Sequence, residues 1–66
     1  MSEIQEEYSG NLLAEKRKNM LLTQEELAEL IGVHKLTVSN WETGRKKPTI
    51  RNIRLLQRAL KPKRSK

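Results

Sequence analysis

The chain has 66 residues, no cysteine, a single histidine and a formal net charge of +6. Chains of this length bury only about 60% of the surface that they expose when unfolded, so we expect one domain without a deep catalytic pocket. Without cysteine there are no disulfides or thiolate metal sites, and His34 alone cannot hold zinc, so the sequence predicts neither a metal nor another cofactor. No apolar run is long enough for a membrane span or a signal peptide, which favours a soluble, cytoplasmic protein.

The charge is unevenly distributed along the chain. Residues 1–10 and 21–32 each sum to −3, whereas residues 11–20 sum to +2, residues 33–47 to +3 and residues 48–66 to +7. Such a basic C-terminal half favours a polyanion as partner, and nucleic acid over a membrane because no strongly apolar helical face accompanies the bases. Charge alone leaves a solvated, lysine-rich surface as the alternative.

The N-terminal region offers two possible starts for the first helix. Three apolar residues recur at helical spacing and would extend it toward the N-terminus: Ile4, Tyr8 and Leu12. Ser9 is instead a favourable N-cap and would begin the helix directly after it. We therefore define an acidic arm at residues 1–9, helical in the first case only, and a first helix at residues 11–19. In that helix we expect Leu13 and Met20 to face inward, with Leu12 beside them.

The second helix is predicted to begin after Thr23. Glu26, three residues later, completes a capping box in which the two side chains satisfy each other's backbone N–H groups. One side of the helix is apolar and is expected to face the core: Leu27, Ala28, Leu30 and Ile31. Gly32 is placed to end the helix in a left-handed turn.

The third helix is predicted over residues 35–43 and ends at Gly44. At 100° per residue, its inner side carries Val38, Trp41 and Glu42. Its outer side carries Leu36, Asn40 and Thr43. This outer face is short, mostly polar and accessible, which distinguishes it from a face that packs in a core.

The last helix is predicted over residues 50–60, because Pro48 ends any earlier helix and Thr49 can cap a new one. Its expected core residues are Ile50, Ile53, Leu56 and Leu60. The basic tail at residues 61–66 has no apolar anchor and is expected to be disordered. With no strand pattern in the sequence, the predicted fold is a compact all-α bundle of four short helices, or five if the arm is helical.

Two segments carry a resemblance to a known family. The sequence LTQEELAELIGV at residues 22–33 is followed by TVSNWETGRKKPT at residues 37–49, with Arg17 upstream. These residues resemble the helix-turn-helix of the phage repressor and Cro type, also called the Xre-like family. The resemblance covers about residues 10–60 and implies a lambda-repressor-like bundle whose third helix enters the major groove of DNA.

The sequence departs from the family pattern in three ways. Leu21 stands where the family often has a glycine, so the turn after the first helix lacks a residue that adopts the left-handed conformation easily. Lys16 occupies a position that is commonly apolar in relatives. The fifth helix with which some phage repressors dimerise is missing, so their dimer interface does not transfer directly.

By resemblance, the base-reading residues are Lys35, Leu36, Thr37, Ser39 and Asn40. Asn40 can pair with adenine through two hydrogen bonds, and Lys35 can donate to guanine O6 or N7. Leu36 offers an apolar surface to a thymine methyl group. The alternative for Leu36 is an ordinary exposed leucine or a dimer contact.

The expected phosphate contacts are Gln24, His34, Thr43, Arg45, Lys46 and Lys47. Gln24, first in its helix, resembles the family glutamine that contacts a phosphate through its side chain while the helix N-terminus adds amide dipoles. The alternative is a good helix former at that position. His34 stands where relatives often have a serine cap, so it is either a cap or a phosphate neighbour. The three loop cations could individually be solvated charges, but together they favour phosphate contact.

Three further residues are assigned structural roles. By resemblance, Arg17 and Glu42 form a clamp that sets the angle of the reading helix more than it adds stability. Trp41 is expected in the core and not stacked on bases.

The last helix carries a stripe of three arginines: Arg51, Arg54 and Arg58. This stripe either reaches the DNA backbone or is solvated. Leu55 lies beside it and suggests a dimer contact.

The sequence thus predicts a sequence-specific, double-stranded DNA-binding transcriptional regulator, more plausibly a repressor than an activator, that binds a palindromic operator as a homodimer in a prokaryotic or phage setting. A protein-interaction module of the same fold, such as an antitoxin or a bridging factor, is the alternative. An enzyme is disfavoured because no paired carboxylates, nucleophile–base pair or phosphate-binding glycine loop is present.

Overall fold

Four α-helices follow one another in the computed structural model, which describes residues 7–61. They are α1 (Gly10–Asn19), α2 (Gln24–Ile31), α3 (Lys35–Thr43) and α4 (Ile50–Ala59). The α3 helix packs against both α1 and α2, and α4 packs against α2. No strand occurs among the described residues, so the all-α prediction is confirmed. The predicted boundaries of the four helices agree with the structure to within one residue.

A small apolar core joins all four helices. The buried residues are Leu13, Leu27, Ala28, Ile31, Val38, Trp41, Ile53, Leu56 and Leu60. Fully burying one aliphatic side chain of this kind contributes about 1.5 to 3 kcal/mol. Helices of eight to ten residues are only marginally stable alone, so this shared core is what keeps them folded.

Two residues predicted for the core lie at the surface instead. Leu30 is 61% exposed and Ile50 is 52% exposed. In α2, the buried residues fall within an arc of about 100° at 100° per residue, and Leu30 lies about 60° outside it on the side of Glu26. Ile50 is the first residue of α4, where the helix has not yet reached the packed layer. Both predictions were wrong because these two positions lie outside the parts of α2 and α4 that the other helices cover.

Side chains cap three of the four helix N-termini. Thr23 accepts a hydrogen bond from the Glu26 N–H at 3.0 Å while Glu26 accepts from the Thr23 N–H at 2.9 Å, which confirms the capping box. The His34 ring accepts from the Leu36 N–H, and Thr49 accepts from the backbone N–H three residues on. Ser9 occupies the N-cap position of α1, but its side chain makes no cap hydrogen bond.

Three helices end in the same left-handed turn. The backbone φ angle is +59° at Leu21, +77° at Gly32 and +84° at Gly44. The residue after each donates a hydrogen bond to the carbonyl five residues earlier: Leu22 to Arg17, Val33 to Ala28 and Arg45 to Asn40. Leu21 therefore performs the role of a C-terminal glycine, in a conformation that costs a residue with a Cβ about 1 to 2 kcal/mol.

The chain before α1 is not continuous with that helix. Glu7 is helical, but Tyr8 forms a turn and Ser9 is extended, so α1 begins afresh at Gly10. Ile4 of the predicted extension lies outside the described residues, as do residues 62–66 of the predicted basic tail.

Tyr8 lies half-buried against the core, close to α1. The Lys16 ammonium lies 5.3 Å from the centre of the Tyr8 ring, within cation–π distance. Burial raises the pKa of the Tyr8 phenol, and the neighbouring Glu7 carboxylate raises it further. Relatives commonly have an apolar residue at the position of Lys16. In this chain the position holds a cation that packs on an aromatic ring.

Candidate nucleic-acid interface

The α3 helix presents one buried and one open side. Val38 and Trp41 are buried in the core, as predicted, and Leu36 on the opposite side is 61% exposed. An exposed leucine in a helix whose other outward residues are polar gives this surface both apolar and hydrogen-bonding groups. The inner face of the helix therefore holds it to the domain, while Leu36 on the outer face stays open to solvent.

The five predicted base-reading residues lie on α3, with unequal exposure. Lys35 and Leu36 are exposed, whereas Thr37, Ser39 and Asn40 are half-buried. The backbone carbonyl of Asn40 accepts hydrogen bonds from the N–H groups of Arg45 at 2.9 Å and Lys46 at 3.2 Å. These bonds hold the backbone of the basic loop at the C-terminal end of α3.

The predicted clamp between α1 and α3 is present. The Arg17 guanidinium donates from Nε to Glu42 Oε2 at 2.6 Å and from Nη2 to Oε1 at 3.1 Å. Its Nη1 donates to the Leu22 carbonyl at 2.7 Å. With side-chain exposures of 11% and 7%, the two ions are largely removed from water. Arg17 therefore ties together the end of α1, the turn before α2 and the last turn of α3.

Gln24 joins this clamp, which the sequence did not indicate. Its Nε2 donates to Glu42 Oε1 at 2.9 Å, so Glu42 accepts bonds from two helices. A phosphate only accepts hydrogen bonds, so it requires a donor. The Gln24 amide has two N–H groups: one binds Glu42, and the other can donate to a phosphate. The amide is therefore oriented before any ligand arrives. Because the two residues are 18 positions apart, no local sequence pattern could have revealed this contact.

The other predicted phosphate-binding residues differ in their free donors. His34 accepts at Nδ1 from the Leu36 N–H, so in the neutral ring Nε2 carries the proton and can donate outward. The Thr43 hydroxyl already donates to the carbonyls of Ser39 and Asn40, at 3.0 and 3.3 Å. Thr43 is thus the weakest phosphate candidate. The three exposed loop cations carry no ion pair within residues 7–61: Arg45, Lys46 and Lys47.

A shallow cleft lies where the N-terminal ends of α2 and α3 meet. Its volume is about 450 Å³, and its lining residues are Arg17, Leu22, Thr23, Gln24, Glu25 and Lys35. It brings Gln24, predicted for a phosphate, beside Lys35, predicted for a base. Backbone and base contacts on DNA lie similarly close together, so the two predicted roles are sterically compatible.

The α4 helix does not present Leu55 as predicted. Leu55 is half-buried and packs against the core cluster, because the core side of α4 is wider than the aliphatic stripe that the sequence indicated. Arg51, Arg54 and Arg58 are exposed. The surface of α4 is therefore basic rather than apolar.

Within residues 7–61, no three His, Asp or Glu side chains are grouped so that they could hold a metal ion. None of the described helices is long and apolar enough to cross a membrane.

The fold and the outward α3 face define a helix-turn-helix protein, in which α2 and α3 are the two helices of the motif. A model of the family described as helix-turn-helix matches residues 13–63, most of the chain. The chain belongs to this family, and it is a DNA-binding protein and not an enzyme.

The chain is also similar to a protein from Methanothermobacter thermautotrophicus (strain Delta H) that is named an uncharacterized HTH-type transcriptional regulator. The two are 45% identical over 49 residues, which is 74% of this chain and 71% of the relative. No solved structure matches the chain.

Proposed function

We propose that this chain is a sequence-specific transcriptional repressor that binds a palindromic operator in double-stranded DNA as a homodimer. The observation that carries the proposal is the orientation of α3, whose Trp41 is buried in the core while Leu36 stands in solvent. The DNA-binding domain is taken as residues 10–60, between the acidic arm and the basic tail, and its place of action is the cytoplasmic DNA of a prokaryote or phage.

The outer face of α3 supplies groups that suit base edges in the major groove. That groove is about 12 Å wide and admits a helix. Asn40 would pair with adenine, exposed Lys35 would donate to guanine, and Leu36 would contact a thymine methyl. The half-buried Thr37 and Ser39 would contribute through their hydroxyl groups, which can bond to several bases.

Phosphate contacts would set the position of α3 without reading sequence. Gln24 with its oriented amide and the loop residues Arg45, Lys46 and Lys47 supply the main donors, and His34 Nε2 adds one more. For each phosphate that a cationic side chain neutralises, the slope of log affinity against log salt concentration should become more negative by about 0.9. A salt titration therefore counts the phosphate contacts made by charged side chains such as Arg45, Lys46 and Lys47, and not the contact of the uncharged Gln24 amide.

The homodimer follows from the size of the domain. One recognition helix contacts only a few base pairs, and two copies on half-sites about 34 Å apart would supply useful affinity and specificity. The half-buried Leu55 gives no support to a dimer contact on α4, so the proposal rests on this requirement alone.

The decisive experiment selects bound sequences from a random duplex pool, with the wild-type chain and with Asn40→Ala. The expected result is an enriched palindrome for the wild type and, for the variant, relaxed preference at one position per half-site at a cost of about 1 to 3 kcal/mol. Asn19→Ala, at the end of α1, is the matched control and should keep the full preference. Uniform loss at every sequence would make Asn40 a backbone contact, and no enrichment by the wild type would reject the proposed function.

The alternative, an antitoxin or bridging factor, relied on Leu55 and the acidic arm. Half-burial of Leu55 removes one of these features. Salt titration separates the two functions, because a protein-interaction module would show little salt-dependent affinity for DNA and tight binding to a protein partner.

A further inference from the structure

A basic cleft lies apart from the α3 face, at the C-terminal end of α4. Its volume is about 580 Å³, and it is lined by Tyr8, Arg54, Gln57, Arg58, Leu60 and Lys61. No residue of α2 or α3 contributes to it. An occupant of this basic cleft could therefore be bound while α3 contacts DNA.

The three cations of the basic cleft form no ion pair with any carboxylate in residues 7–61. Among residues 7–61 the ion pair between Arg17 and Glu42 is the one formed, so Arg54, Arg58 and Lys61 present three unpaired positive charges. The half-buried Tyr8 adds apolar surface to the basic cleft. The chemistry of the basic cleft fits a partner that combines carboxylates with an apolar side chain.

The outer side of α2 has that composition. Glu25, Glu26, Glu29 and Leu30 are all exposed, and at 100° per residue they fall within an arc of about 140°. We call these four residues the acidic face. Leu30, at 61% exposure, is the apolar residue within it.

The acidic face cannot reach the basic cleft within one molecule. The buried side of α2, with Leu27 and Ile31, is the side turned toward the core and toward α4. The acidic face lies on the opposite side of α2 and points away from α4. Only a second copy of the chain can bring the two surfaces together.

We propose that the acidic face of one copy docks into the basic cleft of the next, in a head-to-tail contact. Three carboxylates would meet three cations, and Leu30 would cover the exposed part of the Tyr8 ring. Such a contact uses different surfaces on the two copies and does not close after two, so it would link neighbouring copies along one duplex. It goes beyond the proposed operator dimer, in which the two copies are related by two-fold symmetry.

The net charge of +6 on each copy opposes this association in free solution. Phosphates neutralise part of that charge when copies bind side by side on DNA. The contact should therefore be weak but detectable at low salt without DNA, and stronger on a duplex.

Cysteine cross-linking tests the contact without relying on sequence-specific binding. The chain has no native cysteine, so Leu30→Cys and Gln57→Cys each introduce a single reactive thiol at an exposed position. The two variants carry different tags and are mixed under mild oxidation. The disulfide between Leu30→Cys and Gln57→Cys should form in higher yield than the disulfide between two copies of the same variant. Its yield should increase further on a nonspecific duplex. Leu12→Cys mixed with Gln57→Cys is the control. A mixed yield no higher than the control in both conditions would overturn the proposal.

Charge reversal tests its effect on DNA. The double variant Arg54→Glu with Arg58→Glu should lose cooperative binding to a duplex with two adjacent sites. The double variant Glu25→Lys with Glu29→Lys should lose it as well. A variant that combines all four changes should recover it. Binding to a duplex with one site, measured in parallel, reports on the proposed function separately. If the arginine changes weaken single-site binding and the glutamate changes leave cooperativity intact, the basic cleft contacts the DNA backbone and the head-to-tail contact is wrong.

Discussion

Arg17 and Glu42 are joined by two hydrogen bonds across 25 residues of chain. Glu42 lies in the last turn of α3, and it also accepts from Gln24 at the start of α2. A single carboxylate thus links three helices of the domain. Since desolvation offsets much of the attraction in such a pair, its main effect is to hold α3 in one orientation relative to α1 and α2.

Replacing Glu42 by alanine should destabilise the domain strongly. Arg17 would keep its charge at 11% exposure without a counter-ion, and Gln24 would lose its acceptor. We expect a loss of about 2 to 4 kcal/mol in the free energy of unfolding. Urea denaturation followed by circular dichroism at low temperature measures it.

The double variant Arg17→Met with Glu42→Leu is the control for that prediction. It removes both charges and keeps apolar volume, so it should lose less stability than the single variant. If the double variant is the less stable of the two, the pair contributes net stability and not mainly orientation.

Leu21 offers a stabilising substitution. Its φ angle is +59° and its side chain is 89% exposed, so Leu21→Gly relieves backbone strain and sacrifices almost no burial. Glycine has more conformational entropy than leucine in the unfolded chain, which offsets part of this relief. We therefore expect the free energy of unfolding to increase by about 0.5 to 1 kcal/mol. Thermal unfolding should show a higher Tm.

Gly32→Ala is the reciprocal experiment. A Cβ at Gly32 would meet no atom within 4 Å, so the substitution isolates the backbone cost of a φ angle of +77°. We expect a loss of about 1 kcal/mol. A Leu21→Gly variant that is less stable than the wild type would show that Leu21 contributes contacts despite its exposure.

The helix caps should differ in importance by position. Thr49→Ala removes the acceptor for the Asn52 N–H and Thr23→Ala removes half of the capping box, so each should cost about 1 kcal/mol. Ser9→Ala should change stability by only a few tenths of that amount, because Ser9 makes no cap hydrogen bond. Urea midpoints of the three variants compare them directly, and equal losses at all three positions would contradict this prediction.

Leu36 should contribute to recognition and not to folding. At 61% exposure, Leu36→Ala should leave the free energy of unfolding nearly unchanged. On the selected operator, replacing thymine by uracil should weaken wild-type binding at the contacted position by about 0.8 kcal/mol, the value of one buried methyl group. The same replacement should have no effect on Leu36→Ala, as measured by fluorescence anisotropy. Equal sensitivity of both proteins would exclude the thymine contact.

Local sequence patterns were enough to predict the helices and their ends. The capping box at Thr23, the glycine at Gly32 and the proline at Pro48 act within a few residues, so their consequences are visible without knowledge of the fold. The orientation of α3 could also be predicted, since the period of the helix separates Trp41 from Leu36.

Longer-range features could not be predicted in the same way. The contact between Gln24 and Glu42 depends on how α2 and α3 are placed. The exposure of Leu30 depends on how little of α2 the other helices cover. The left-handed conformation of Leu21 is imposed by the turn that the two flanking helices require, against the preference of the residue itself.

The firm attachment of α3 has a consequence for the duplex. The helix is held at its start by the His34 cap, at its end by the Gly44 turn and at its side by Arg17, so it has little freedom to tilt. On the proposed function, any mismatch in shape must be absorbed by bending or twisting the DNA, whose elastic cost is on the order of a few kcal/mol and depends on sequence. Operators with flexible pyrimidine–purine steps between the half-sites should therefore bind more tightly. The rigidity of the protein would thus give sequence specificity at base pairs that the protein does not contact.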